Sequence, residues 1–133
     1  MRAVAEALRE PLKGKLTPVP VLMNVGPQQA FPYSWLPTRV TTVQGKHGEY
    51  LSTFFIYYRA KGREAVEALA KKADFVDGLK IGAFNGAAFL RYTRNSRTGP
   101  DEDPDDSTVY HVTDTVSCSY YQASQLADAN PLA

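Results

Sequence analysis

Few side chains in this sequence have a type and spacing that suit catalysis or metal binding. The two histidines lie far apart, His47 in a glycine-flanked turn and His111 on the polar face of a predicted strand. Asp114 follows His111 by three positions, which places the two side chains on opposite faces of a strand. The one cysteine, Cys118, lies on the apolar side of that strand, so we expect a buried, inert thiol.

Recognisable catalytic motifs are missing as well. The sequence has no Gly-x-Ser-x-Gly nucleophile turn, no glycine-rich phosphate loop and no His-Glu-x-x-His zinc motif. A single cysteine also excludes an intramolecular disulfide and a cysteine-rich zinc site. The sequence therefore predicts a protein that is not an enzyme, with no catalytic, cofactor-binding or metal-binding residues and no cofactor.

The acidic run Asp101–Asp106 is the most conspicuous polar feature. Its first, third and fifth residues are aspartates, as in the first ligand positions of a helix–loop–helix calcium site. The match then fails, because Asp106 stands where glycine is needed and Val112 where glutamate is needed. Loose binding of a divalent ion stays an alternative. Repulsion between close carboxylates favours a hydrated loop that projects from the domain.

Three arginines precede this run and form a candidate binding surface. Arg91, Arg94 and Arg97 lie near the end of a predicted strand, with Tyr92 between them. Such a pattern is compatible with phosphate contacts. The acidic segment that follows would oppose nucleic acid, so we expect these arginines to pair with acids, within the loop or between subunits.

Length and composition indicate one globular domain. The chain has 133 residues, a mass of 14.7 kDa, 44% hydrophobic and 22% charged residues, and a net charge of +1. It has no run of eighteen apolar residues and no apolar stretch near its start, so we expect neither a transmembrane helix nor a signal peptide. The simplest expectation is a soluble intracellular product.

Charge is distributed unevenly along the chain. All 15 lysines and arginines lie at or before Arg97, whereas half of the 14 acids follow it. A basic body with an acidic late segment can associate head to tail through complementary patches. The alternative is that both regions are simply solvated surfaces.

Hydrophobic periodicity predicts the order of the elements. We expect a domain over residues 1–121 and a mobile C-terminal tail without strong pattern over 122–133. The predicted elements are a helix over 2–13 that stops near Gly14, a strand over 19–25, a turn over 26–29, a strand or loop over 39–43, a strand over 49–59, a helix over 62–77, a turn-rich connection over 81–86, a strand over 87–93, a polar loop over 94–107 and a strand over 108–121.

The fold class that follows is α+β. We expect a largely antiparallel (mixed) sheet with two helices packed on one face and a long polar loop between the last two strands. The strand over 49–59 is apolar on both sides, with Phe54 and Ile56 on one face and Leu51, Phe55 and Tyr57 on the other. This pattern predicts a central strand with one face against the helices and the other against a partner chain.

Three segments give the sequence a family resemblance. They are Phe31-Pro32-Tyr33 after a proline-rich strand, the strand–helix unit from Ser52 to about Gly78, and the closing strand that begins Val109-Tyr110-His111. Over residues 2–121 the chain resembles the tail-terminator (tail-completion) proteins of long-tailed bacteriophages and related gene transfer agents. The acidic insert at 100–106 does not map onto that family.

The resemblance implies a structural virion protein at the head-proximal end of the tail, assembled in the host cytoplasm. Such proteins form a ring of six subunits that caps the tail tube, ends elongation and joins the tail to the head. The implied partners are further copies of the chain, the tail tube protein and a head-completion (connector) protein, with DNA only as passing cargo and no membrane. We also expect the loop over 95–107 to project towards the channel or the tube, where its carboxylates would repel DNA.

The candidate interface residues share charge or aromatic character. They are Arg91, Arg94, Arg97, Asp101, Glu102, Asp103, Asp105, Asp106 and Tyr57. Two rival functions stay open. One is a head-completion (stopper or adaptor) protein of the same connector region, and the other is a small enzyme or ligand-binding domain with a pocket near Tyr57, Tyr58 and Tyr92.

Overall fold

A computed structural model describes residues 3–23, 30–36 and 40–122. These residues form two α-helices, one short 3-10 helix and seven strands. The helices are α1 (Ala3–Leu16) and α2 (Arg63–Lys71), with the 3-10 helix at Asp74–Val76. The strands are β1 (Val21–Leu22), β2 (Tyr33–Trp35), β3 (Thr41–Gln44), β4 (Tyr50–Lys61), β5 (Lys80–Phe84), β6 (Ala87–Glu102) and β7 (Val109–Gln122).

All seven of these strands belong to one mixed sheet. Its order is β1-β2-β4-β7-β6-β5, and β3 also pairs with β4. Strands β1 and β2 run parallel to each other, while the remaining pairs among them are antiparallel. The long strand β4 pairs with β7 along its whole length, from Tyr50 opposite Tyr120 to Lys61 opposite Val109. The expected α+β class with a largely antiparallel sheet is confirmed.

One face of the sheet, here the inner face, carries the hydrophobic core. Both helices pack on it, as predicted, and the aromatic side chains Phe54, Tyr58 and Tyr92 are among its largest buried members. The Tyr92 hydroxyl donates to the Val4 carbonyl at 2.6 Å, which ties β6 to the first turn of α1. Burial of such large side chains is the main stabilising term of a domain this size.

The helices differ from expectation at their ends. Helix α1 continues past Pro11 and Gly14 to Leu16, because Leu12 and Leu16 are four positions apart and both fully buried. Helix α2 ends at Lys71 rather than near 77, and the chain tightens into the 3-10 helix before turning at Gly78 (φ 90°). Neither helix, within the residues described, is long and apolar enough to span a membrane.

The predicted loop over 94–107 is wrong. Strand β6 runs through most of it to Glu102, and only residues 103–108 connect β6 to β7. The segment is polar because it is an exposed strand, and its backbone pairs with β7 through two irregularities in register, between Arg94 and Ser96 and between Thr98 and Asp101. The turn-rich connection predicted over 81–86 is likewise mostly strand β5, which pairs with the start of β6.

The N-terminal strand region is shorter than expected. Strand β1 contains only Val21 and Leu22, and it is covered by α1, whose Arg9 side chain donates to the Val21 carbonyl at 3.2 Å. Residues 39–43, left open between strand and loop, contribute β3 from Thr41 onward. The turn predicted over 26–29 and all of the tail beyond Gln122 lie outside the described residues.

Candidate functional site: the uncovered face of the sheet

The face of the sheet opposite the helices, here the outer face, exposes large apolar side chains. Leu51 and Phe55 point to it from β4 and are 39% and 44% exposed. Val43 stands opposite Leu51 on β3 and is 58% exposed. Apolar residues on both sides of β4 were predicted, and the structure places one set in the core and the other in solvent. Contiguous exposed apolar side chains of this kind are typical of protein interaction surfaces.

Aromatic rings extend this surface toward β2. Tyr57 stacks on Trp35 with ring centroids 4.3 Å apart and an interplanar angle of 14°, and its centroid lies 6.1 Å from that of Phe55. Further along, the Arg59 guanidinium lies over the rings of Phe31 and Tyr33, at 5.4 Å and 5.9 Å from their centroids. The predicted interface residue Tyr57 thus lies in the middle of an aromatic row.

The proposed pocket near Tyr57, Tyr58 and Tyr92 does not form. Tyr58 and Tyr92 are fully buried in the core, while Tyr57 lies on the outer face. Neighbouring residues of a strand point to opposite faces, so Tyr57 and Tyr58 cannot line one cavity. The structure therefore contradicts the pocket that motivated the ligand-binding alternative.

The three arginines expected to act together lie on two faces of β6. Arg91 is on the outer face, opposite Ser119, whereas Arg94 pairs with Val116 and faces inward. A register irregularity between Arg94 and Ser96 resets the alternation, so Arg97 joins Arg94 on the inner side. Of the three, Arg91 alone belongs to the uncovered face.

Arg94 and Arg97 do pair with acids, but not with the acidic run. Both donate to Asp74 Oδ1, at 2.6 Å and 2.9 Å, beside the 3-10 helix. These hydrogen bonds lower the pKa of the Asp74 carboxyl, and the one from Arg94 has the largest effect. Arg97 also donates to the Ala70 carbonyl at 2.9 Å, so it fastens the end of α2 to the sheet.

The buried partner of Arg97 is Asp114, the one charged residue on the inner side of β7. Asp114 is 1% exposed, and its carboxylate also accepts a hydrogen bond from the Tyr58 hydroxyl at 3.1 Å. The hydrogen bonds to Asp114 raise the pKa of Arg97. The pKa of Tyr58 is also raised, mainly by burial of its hydroxyl and next by the negative charge of Asp114. Nothing in the sequence identified Arg97 as the partner of Asp114.

The acidic run forms the end of strand β6 and the start of the short, ordered turn that follows it. Asp103 pairs with Arg59, and its other carboxylate oxygen accepts the Asp105 backbone N–H at 2.9 Å. Asp106 accepts the backbone N–H and the hydroxyl of Thr108, at 2.9 Å and 2.7 Å, which lowers the pKa of its carboxyl. The expectation of an extended loop over 95–107 is therefore wrong, because most of this segment is strand β6 and local hydrogen bonds order the turn that follows, although most of its carboxylates are exposed to water as expected.

The exposed carboxylates of this region are now defined. Asp101 and Glu102 end β6, and Asp105 and Asp106 follow in the turn; all four are exposed. Asp101 lies 3.9 Å from His111 Nε2, across the strand pair. Among the described residues, no three His, Cys, Asp or Glu side chains are grouped closely enough to hold a metal ion.

Phe89 is a candidate that the sequence did not reveal. It is 64% exposed and has a φ of 56°, in a register irregularity between Ala88 and Arg91. A bulky residue with positive φ is unusual and strained. The sequence of the predicted strand gave no sign of this bulge, because regular strand alternation also places the Phe89 side chain on the outer face.

Comparison with known proteins adds a structural likeness. No protein-family model matches the chain. No curated protein matches its sequence. The chain is similar to a chain from the virion of a native gene transfer agent particle, with a TM-score of 0.58 and 18% sequence identity, over 89% of this chain and 91% of that one. At this identity the similarity shows a shared fold, which extends over nearly the whole of both chains.

Proposed function

We propose that this chain is a structural virion protein that acts as a tail terminator. In this proposal, several copies, most simply six, close into a ring on the last layer of the tail tube. The ring stops tube growth and offers a surface to the head-completion protein, while DNA passes through its centre. The protein acts through assembly and not through catalysis.

The main support is the fold shared with a chain of a gene transfer agent virion across 89% of the sequence. A second support is the outer face, where Val43, Leu51 and Phe55 are exposed beside an aromatic row. A ring subunit needs such a surface, because each copy must bury area against its neighbours and the tube.

The polar groups of the interior fit an assembly role as well. Arg97, Asp114 and Tyr58 satisfy one another between α2 and the sheet, and Asp114 is 1% exposed. A general acid or base must reach a substrate, and this carboxylate is enclosed by its own partners. The network acts as a structural fastening.

Electron microscopy of particles made without this protein tests the role. A nonsense mutation in the gene should give abnormally long tubes without attached heads, and supplying the wild-type chain should restore normal tails. Tails of normal length beside emptied heads would instead assign the protein to head completion. Intact, infectious particles would contradict both structural roles.

Complementation with variants tests the surface. Phe55→Glu places a charge in the exposed apolar patch and should fail to restore particles, although its circular dichroism spectrum stays that of the wild type. Lys72→Glu, an exposed charge reversal at the end of α2, is the matched control and should restore them. If both variants restored particles equally well, the outer face would not be an assembly surface.

A further inference from the structure

A groove lies between β5 and β6, at the end of the sheet far from the acidic turn. It has a volume of about 300 Å³. Its walls are formed by Lys80, Ile81, Gly82, Phe89, Leu90 and Arg91. The groove is therefore apolar along its floor and basic at its rim.

Two features of the groove are locally unfavourable. Phe89 keeps a bulky side chain exposed on a backbone with positive φ. Lys80 stands directly opposite Arg91 on the neighbouring strand, and like charges in that position repel. Among the described residues, neither cation has an acidic partner within ion-pair distance. A ligand that is both acidic and apolar would cover the exposed Phe89 ring and neutralise the repulsion between Lys80 and Arg91 at once.

The chain itself carries a segment of that chemistry. The turn between β6 and β7 exposes Glu102 and Asp105 on either side of the exposed Pro104. Asp103 and Asp106 hold the turn in one shape through their hydrogen bonds, so little ordering is needed on binding.

The groove and this turn cannot meet within one molecule. Phe89 and Glu102 lie thirteen positions apart on the same strand β6. The register irregularities shorten this stretch, and the β7 partners of Arg91 and Glu102, Ser119 and Tyr110, are nine positions apart, which at about 3.3 Å per residue is roughly 30 Å. Contact between the two surfaces therefore requires a second copy.

We propose that the groove of one copy binds the acidic β6–β7 turn of the next. Pro104 packs against Phe89, and Glu102 and Asp105 face Lys80 and Arg91. The contact joins two different surfaces, so the copies associate head to tail. They close into a ring if the rotation from one copy to the next divides evenly into a full turn. This inference rests on the proposed ring function and identifies the contact between its subunits.

Sedimentation of the full chain tests the contact. We expect concentration-dependent association that weakens with added salt, as for contacts between complementary charges. Arg91→Glu alone and Asp105→Lys alone should each weaken association roughly tenfold or more. Mixed in equal amounts, the two variants should associate again, because Asp105→Lys supplies an intact groove and Arg91→Glu an intact turn, and the two reversed positions also carry opposite charges. Lys13→Glu, an exposed charge reversal on α1, is the matched control and should associate like the wild type.

Several outcomes would overturn the proposal. They are a chain that stays monomeric up to millimolar concentration, association unchanged in both variants, or loss of association in Lys13→Glu as well. The test separates this contact from the ring function. If microscopy shows termination while the variants still associate normally, the ring is built through another surface and only the groove contact is wrong.

Discussion

Arg97 holds Asp114 with two hydrogen bonds, Nε to Oδ1 at 2.6 Å and Nη2 to Oδ2 at 2.9 Å. The two residues stand directly opposite each other on β6 and β7. Such a two-pronged pair fixes the orientation of both side chains. It anchors the polar half of β6, where most side chains are exposed and contribute little to the core.

Replacing this carboxylate should destabilise the fold. Asp114→Asn leaves Arg97 without its buried charge partner, and we expect a loss of about 2 to 4 kcal/mol in the free energy of unfolding. We expect a loss in the lower part of this range, because the Arg97 side chain is 25% exposed and water can partly solvate its charge. Urea denaturation measures the change. Asp105→Asn, at an exposed turn position, should change stability by less than about 0.5 kcal/mol. Equal stability of both variants would contradict this role.

The ion pairs of Asp74 should make stability depend on pH. The pKa of this carboxyl is lowered in the folded state, so its contribution is present above the ordinary value of 3.8 and is lost as pH falls through the lower folded value. Asp74→Asn should therefore be less stable than wild type at neutral pH, by about 1 kcal/mol or less for so exposed a pair. Chemical denaturation at several pH values should show this difference shrinking below pH 3.8. A difference that stays constant with pH would rule out this linkage.

Removing the backbone strain at Phe89 should stabilise the folded chain. Asparagine tolerates positive φ better than phenylalanine, so Phe89→Asn should gain up to about 1 kcal/mol in thermal denaturation. Phe55→Asn is the matched control, because Phe55 is also exposed but its φ is not positive. We expect no gain there. A loss of stability in Phe89→Asn would mean that the phenyl ring itself supports the fold.

Cys118 should react slowly in the native protein. Burial raises the pKa of its thiol to about 12, so almost no thiolate is present at pH values near neutrality. A thiol-reactive chromogenic disulfide should leave most folded chains unmodified in the time that it labels the guanidinium-unfolded chain fully. Rapid stoichiometric labelling of the folded chain would show that the thiol is accessible.

A methyl group at Gly99 should not fit. A Cβ built there would lie 2.6 Å from the His111 carbonyl oxygen, and the φ of 99° disfavours any side chain. We expect Gly99→Ala to cost about 2 kcal/mol or more, measured by urea denaturation. Gly82→Ala is the comparison, because a methyl group at that position would have open space within 4 Å. A neutral Gly99→Ala variant would show that the β6–β7 pair shifts easily.

The parts of the fold predicted from sequence are those with strong apolar periodicity. Strand β4 and helix α2 show alternation or helical spacing along most of their length, and both were located correctly to within a few residues at their starts. The apolar patch of β4 was also predicted, since Leu51 and Phe55 alternate with core residues. The structure of such segments depends on which side chains are buried, and the residue types along the sequence indicate which ones these are.

The parts that were missed are decided by pairing between distant strands. The second half of β6 has the composition of a loop because its residues are polar, yet its backbone pairs with β7. The Arg97–Asp114 pair joins positions seventeen residues apart, and the bulge that exposes Phe89 has no marker such as glycine. Local sequence carries little information about which strands meet and in which register.

The pairing of β4 with β7 has a mechanical consequence. The two strands run side by side from one end of β4 to the other, and their hydrogen bonds lie across the strand direction. Tension applied between those ends would shear the whole ladder at once and would not open it bond by bond. The domain is thus stiff along the strands and gives way only when many hydrogen bonds fail together.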